Sequence, residues 1–259
     1  YTGYLNLDVL TRGIEKTDFM IIAARPSVGK TAFALNLAMK VARANNANVL
    51  VFSLEMKAKQ LAYRIMSNLA RVPAGEIKNG NIARTKEKEL ERLEELSKIY
   101  DVYIDDSFTN KVADIKDKVI QFKKNNKVAM IIIDYIQLLQ PSKFSNKYEG
   151  TSEISRDLKQ LAYELEIPVM ALSQLNRNVE QNKKDSEPKM SDLRDSGSLE
   201  QDADMVMLMS RSDYQNDDKS KTSNVRVRVA KCRNGSTGNA DFWYYRDNSL
   251  FVEQEEGRE

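Results

Sequence analysis

A glycine, a lysine and a hydroxyl in immediate succession, Gly29-Lys30-Thr31, end the stretch AARPSVGKT at residues 23–31. That order is the ending of a phosphate-binding loop. Backbone N–H groups within the 26–31 stretch, those of Ser27, Val28 and Gly29 among them, can wrap a phosphate. The start of a following helix at Lys30, Thr31 and Ala32 adds partial positive charge. Lys30 would reach the β- and γ-phosphates, and the Thr31 hydroxyl would ligate Mg²⁺. Alanine, Ala24, stands where the loop pattern usually opens with glycine. It is the smallest alternative and suits any turn that does not need positive φ. A chance Gly-Lys-Thr in a surface turn is the competing reading.

Further groups with suitable chemistry fall at the ends of apolar runs. Asp134 closes VAMIIID (128–134), where a carboxylate beside Thr31 would hold Mg²⁺ through water; an acidic residue marking a strand end is the alternative. Glu55 closes NVLVFSLE (48–55). It would polarise an attacking water, or simply favour a helix start, and position alone leaves both open. Gln174 closes IPVMALSQ (167–174) and would sense a γ-phosphate through its amide or anchor a loop. In NVRVRVAKCR, Val225, Val227 and Val229 share a face by alternation, and Lys231 and Arg233 continue that parity past the apolar part. Two such cations are expected to meet an anion, for instance a phosphate held by a neighbouring subunit. A strand tip frayed into solvent is the plainer reading.

Composition narrows the chemistry. The 259 residues contain no histidine and one cysteine, Cys232, which removes Ser-His-Asp and Cys-His nucleophiles, most zinc sites and an internal disulfide. What remains is carboxylates, lysine, arginine, amides and a hard metal ion, the toolkit of phosphoryl transfer. A single thiol suits a reducing compartment, and no run approaches the ~18 apolar residues of a membrane span; the expectation is a cytoplasmic protein with no membrane contact. Forty basic against 38 acidic residues leave no global footprint for a polyanion, so any such binding must come from local loops or from assembly.

The elements that must position these groups alternate. DFMIIAA leads into the loop as a buried strand, and Phe33, Leu37 and Val41 recur at helical spacing after it. Helices are expected around Leu61, Ile65 and Leu69, over 85–100, from Val112 to Phe122, and over 151–166; a further short strand is expected at 101–106. Strands separated by helices of this length imply a largely parallel sheet. The last third, with an Asn-Gly turn and a second turn at 247–249, reads as an antiparallel β-meander. Residues 1–17 read as a linker or lead-in closed by Gly13, and 18–259 as one α/β domain. A start at Tyr1 rather than methionine reads as a piece of a longer protein.

Taken together, ARPSVGKTAFALN, SLEM (53–56), IIIDYIQLL (131–139), ALSQLNR (171–177), SDLRDSGSLEQDAD (191–204) and AKCRNGSTG (230–238) resemble, in order, the RecA-like motor domain of the DnaB-family replicative helicases. The resemblance implies a P-loop NTPase fold and an ATP-driven hexameric ring moving 5′ to 3′ on single-stranded DNA. It assigns Lys30 and Thr31 to the Walker A motif, Asp134 to Walker B, Glu55 as catalytic base and Gln174 as γ-phosphate sensor. Lys231 and Arg233 become the pair supplied in trans, and Arg64 the nucleotide-contacting arginine. It also places Arg194, Asp195 and Gly197 against the DNA backbone, although Asp195 stands where the family often has Glu. Without the family, LRDSGS is a helix-start loop, with Ser198 and Gln201 fitting a capping box. The implied cofactors are ATP and Mg²⁺. The implied partners are single-stranded DNA and five further copies, with primase and a helicase loader met mainly through the family's absent N-terminal domain. The alternatives are a RecA-like recombinase or clock-type ATPase without strand separation, a small-molecule kinase, and a nucleotide-dependent scaffold.

Overall fold

The computed structural model describes residues 1–80, 91, 93, 101–142, 147–175, 187–212 and 221–255; the expected helix over 85–100 lies almost wholly outside them. Apolar runs such as FMIIAA and VMALSQ have no polar face, and such runs form strands covered on both sides. They are β1 (Phe19–Ala24) and β5 (Val169–Gln174), accompanied by β2 (Asn48–Ser53), β3 (Val102–Asp105), β4 (Val128–Asp134) and β6 (Met205–Arg211). All six are parallel; β7 (Thr222–Cys232), β8 (Gly238–Tyr245) and β9 (Leu250–Glu253) continue the sheet antiparallel, giving the order β3-β2-β4-β5-β1-β6-β7-β8-β9. The meander expected at the end of the chain is present. The strand β6, which joins it to the parallel part, was not read from the sequence. Its MVMLMSR lacks both alternation and β-branched enrichment, the two signals a strand usually gives.

Helices cover both faces. One face carries α1 (Leu5–Thr11), α2 (Lys30–Asn45) and α3 (Ala58–Ala70), with α4 (Ala74–Asn79) following. The other carries α5 (Val112–Lys123), α6 (Lys147–Leu165) and α7 (Gly197–Asp202). Phe33 of α2 sits at the centre of the first core, its ring 5.4 Å from Phe242, 5.2 Å from Phe251 and 5.7 Å from Tyr4. Truncating such a side chain costs about 3–5 kcal/mol. The lead-in segment thus reaches the main core: Tyr4 and Leu7 are fully buried there.

Two local expectations are corrected. Helix α7 begins at Gly197, so Ser198 lies inside its first turn and caps nothing; the bond that opens this region is Lys189 N–H donating to the Asp192 carboxylate, 2.8 Å, before a 3₁₀ turn over Met190–Ser196. The parity of β7 also breaks. Met207 pairs with Val229 but Val206 pairs with Lys231, so Ala230 is an extra residue, a β-bulge. Alternation therefore restarts one step late. Val225, Val227 and Val229 face the α2 core, whereas Lys231 and Arg233 turn to the opposite face, beside α7.

Candidate nucleotide site

The loop between β1 and α2 is shaped by two residues in the left-handed region, Ser27 at φ 63° and Gly29 at φ 108°. At Gly29 a side chain is excluded twice over: a Cβ would lie 3.0 Å from Tyr244 and 3.2 Å from Phe251, and the φ itself disfavours L residues. Val28 is buried and pins the loop to the core. Ala24 needs none of glycine's freedom, because it is the last paired residue of β1, opposite Gln174 and Met209. Gly29 is the N-cap of α2 and supplies no side-chain bond. The N–H groups of Lys30, Thr31 and Ala32 occupy the first turn, where a helix offers no internal acceptor. The sixteen-residue helix thus points its positive end into the loop.

Opposite that end, the Thr31 hydroxyl donates to Asp134 Oδ2 at 2.7 Å. Asp134 is 2 % exposed, and its Oδ1 has no hydrogen-bond partner among the described residues. A buried, half-satisfied carboxylate is costly unless a cation or donor completes it. Burial pushes its pKa up, against the Thr31 bond and the nearby charges of Lys30 and Arg64. Burial also lowers the Lys30 amine, while Asp134 and Glu55 support its charge. The Lys30 Nζ rests 5.1 Å from the centre of the Tyr135 ring. A hydroxyl and a carboxylate are hard oxygen donors suited to Mg²⁺. No cluster of three acidic, His or Cys ligands occurs among the described residues, so remaining ligands would come from nucleotide and water.

The other expected groups converge on the same edge of the sheet. β2 pairs with β4 so that Ser53 lies opposite Asp134, and the Leu54 N–H donates to the Asp134 carbonyl at 2.8 Å. Glu55 follows in the exposed turn, close enough to act electrostatically on both Lys30 and Tyr135. Arg64, on α3, bears on Asp134 and Tyr244. Gln174 ends β5 beside Ala24, and Gln137 ties it to β4: the Gln137 amide donates to Ser173 Oγ at 2.9 Å and to the Gln174 carbonyl at 3.2 Å. Gln137, Tyr135 and Arg211, whose Nη1 donates to the Ser27 carbonyl at 3.3 Å, were not singled out from sequence. Only Tyr135 carried a signal there, as the immediate neighbour of Asp134.

Lys231 and Arg233 are not part of this constellation. Because β7 runs antiparallel to β6, its end lies at the start of the parallel strands: Arg233 N–H donates to the Asp204 carbonyl, and Asp204 N–H to that of Phe19. The loop follows Ala24, five residues further along β1, about 17 Å of strand. An extended arginine cannot span that distance. Lys231 instead donates to the Glu200 and Gln201 carbonyls at 2.6 and 3.0 Å, and Arg233 to Asp204 Oδ1 and the Gln201 carbonyl, both at 3.1 Å. Arg194 and Asp195 fall in the 3₁₀ turn Met190–Ser196, which docks through buried Leu193; their side chains lie outside the described residues. Gly197 opens α7 with ordinary helical angles.

A family model for the DnaB-like helicase C terminal domain matches residues 1–253. The chain belongs to that family. It is 44% identical to Replicative DNA helicase DnaB of Geobacillus stearothermophilus over 256 residues, covering 98% of this chain and 56% of the relative. It is 41% identical to Replicative DNA helicase DnaC of Bacillus subtilis (strain 168) over the same length and coverage. The chain thus spans about half the length of these relatives. Among solved structures, one described as an ATPase domain superposes with a TM-score of 0.90 at 37% identity, covering 98% of this chain and 91% of that one. A DnaB-like replicative helicase described with its interactions with primase gives the same TM-score and identity over 63% of its own chain. The DnaB-like fold is therefore the RecA-like α/β sheet expected from sequence. Among the described residues no helix is long and apolar enough to cross a membrane.

Proposed function

We propose that this chain is the ATP-hydrolysing motor of a replicative DNA helicase, acting as a hexameric ring that translocates 5′ to 3′ on single-stranded DNA and separates the duplex ahead. The observation that carries this reading is the separation of its parts. The loop, Thr31, Asp134, Glu55 and Gln174 share one edge of the sheet, and Lys231 and Arg233 occupy the other. A complete phosphate site then needs two copies, and a head-to-tail contact of this kind builds a ring where its rotation closes.

Within that reading, Ser27, Val28, Gly29, Lys30, Thr31 and Ala32 cradle the phosphates, with Arg64 contacting the nucleotide. Thr31 and Asp134 hold Mg²⁺, which when bound neutralises charge on the β- and γ-oxygens. Glu55 accepts the proton of the attacking water, and Gln174 reads the γ-phosphate by its amide. Lys231 and Arg233 of the adjacent copy meet the charge that develops as the phosphoryl group leaves.

Arg194, Asp195 and Gly197 contact the DNA sugar–phosphate backbone. The near-neutral monomer is consistent with this, because six copies place a modest loop charge on one axis. Such contacts give little sequence preference and a steep salt dependence. Primase and a loader would engage the longer protein, whose motor unit is residues 18–259 behind the 1–17 lead-in. Cytoplasm, of a bacterium or of a phage-infected host, is the compartment that fits. The test is phosphate release across a range of protein concentrations with and without oligo-dT. Specific activity rising with both concentration and DNA is expected; a rate indifferent to both would overturn the reading.

A further inference from the structure

Arg233 is held by its own protomer before it can serve another, and one carboxylate does most of the holding. Asp204 is 7 % exposed and accepts three donors: the Phe19 N–H at 2.8 Å, Lys159 Nζ at 2.5 Å, and Arg233 Nη1 at 3.1 Å. The Phe19 bond locks the carboxylate to the first residue of β1, a strand buried along its whole length. Lys159 comes from α6 on the second face and also donates to the Thr17 carbonyl at 3.2 Å. Arg233 is about half exposed, so its rotamers are restricted by these partners rather than by packing.

The charge arrangement also matters. A lone carboxylate beside Arg233 would neutralise it and blunt its pull on an anion. Here Lys159 compensates Asp204, so the triad Lys159–Asp204–Arg233 retains one net positive charge. Among the described residues, Asp204 and the Gln201 carbonyl engage two of the guanidinium's five N–H donors, which leaves three for an incoming anion. The bulge at Ala230 is what makes the arrangement possible, since it turns Arg233 toward α7 and Asp204.

We infer that Asp204, braced by Lys159, is a positioning residue for ATP hydrolysis: it presents Arg233 in a fixed orientation, still cationic, to the triphosphate bound by the adjacent copy. This rests on the trans role proposed above for Arg233. A preorganised donor contributes more to a transition state than one that must be ordered during reaction.

The test compares Asp204→Asn with Arg233→Ala and Arg233→Lys in this chain, with DNA present. In Asp204→Asn the amide oxygen can still accept from Phe19 and Lys159 while its NH₂ faces the guanidinium, so the anchor to β1 is kept and the presentation of Arg233 is lost. The expected result is kcat lower by about 10- to 100-fold, the factor for one charge-assisted hydrogen bond. The KM for ATP and the affinity for ADP stay within about twofold of the parent. In the Arg233→Lys background the same substitution should cost much less, since lysine lacks the planar fork that Asp204 and the Gln201 carbonyl orient. Wild-type kcat in Asp204→Asn, or an undiminished loss in the Arg233→Lys background, would overturn the inference. Wild-type turnover by Arg233→Ala would instead remove the trans role itself. Lys159→Met removes the compensating charge while Asp204 stays bonded to Phe19 and Arg233; if Asp204→Asn does not fold, the same loss of kcat, smaller in the Arg233→Lys background, is expected from it.

Discussion

At the residue scale, the site is built from groups whose surroundings oppose their charge. Asp134 is buried with one oxygen unpaired among the described residues, so its carboxylate serves a ligand better than it serves the apo fold. Asp134→Asn is expected to leave the melting temperature of the nucleotide-free protein unchanged or higher, and to abolish the rise that Mg²⁺–nucleotide gives; thermal denaturation with and without ligand checks both. Glu55 is exposed in the turn after β2 and is no part of the buried core among the described residues. Glu55→Gln should therefore keep nucleotide affinity and stability while phosphate release falls by about 10²–10⁴, the usual contribution of a positioned base. Both residues were legible in sequence because each closes an apolar run, and the ends of strands in parallel sheets are where ligands meet protein. Gln137 was not legible: its partners, Ser173 and Gln174, are 36 and 37 residues away and adjacent only in the folded sheet.

At the element scale, the loop depends on packing from the opposite end of the chain. Gly29 is pressed against Tyr244 and Phe251 of β8 and β9, so Gly29→Ala combines backbone strain of about 1–2 kcal/mol with a clash. A melting temperature lower by about 4 °C and weakened nucleotide binding are expected, read by denaturation and by titration with a fluorescent nucleotide. The start of β1 offers a pH test. Burial raises the pKa of Asp18, with Asp204 and Glu15 adding to the rise and the Glu15 N–H and Lys159 opposing it. A carboxyl raised on folding favours the native state below its unfolded value and loses that advantage as pH climbs through the folded value. At pH 7 the buried charge is a net cost. Asp18→Asn should raise the melting temperature by about 2 °C at pH 7, and the gain should vanish below about pH 3, where Asp18 is protonated in both states. The bulge in β7 is the element that sequence parity misjudged. One inserted residue reverses which face every later side chain takes, and Ala230 carries no local mark of being the extra one.

At the scale of the whole molecule, the sheet separates a phosphate cradle from two cations by its own height, and assembly is the proposed way of reuniting them. Arg233→Ala chains mixed into wild type should then depress ATP turnover more than in proportion to their fraction; a linear decline with mixing ratio would show that each copy completes its own site. The sequence by itself determined the local chemistry: the phosphate loop, the strand-end carboxylates and the order of motifs that marks the family are each written within a few consecutive residues, where backbone geometry follows residue type directly. Tertiary structure alone decided which of these groups share an edge. Strand order, the place of β6 between β1 and the meander, and the bulge in β7 are set by pairings between residues far apart in the chain, and no local pattern encodes them.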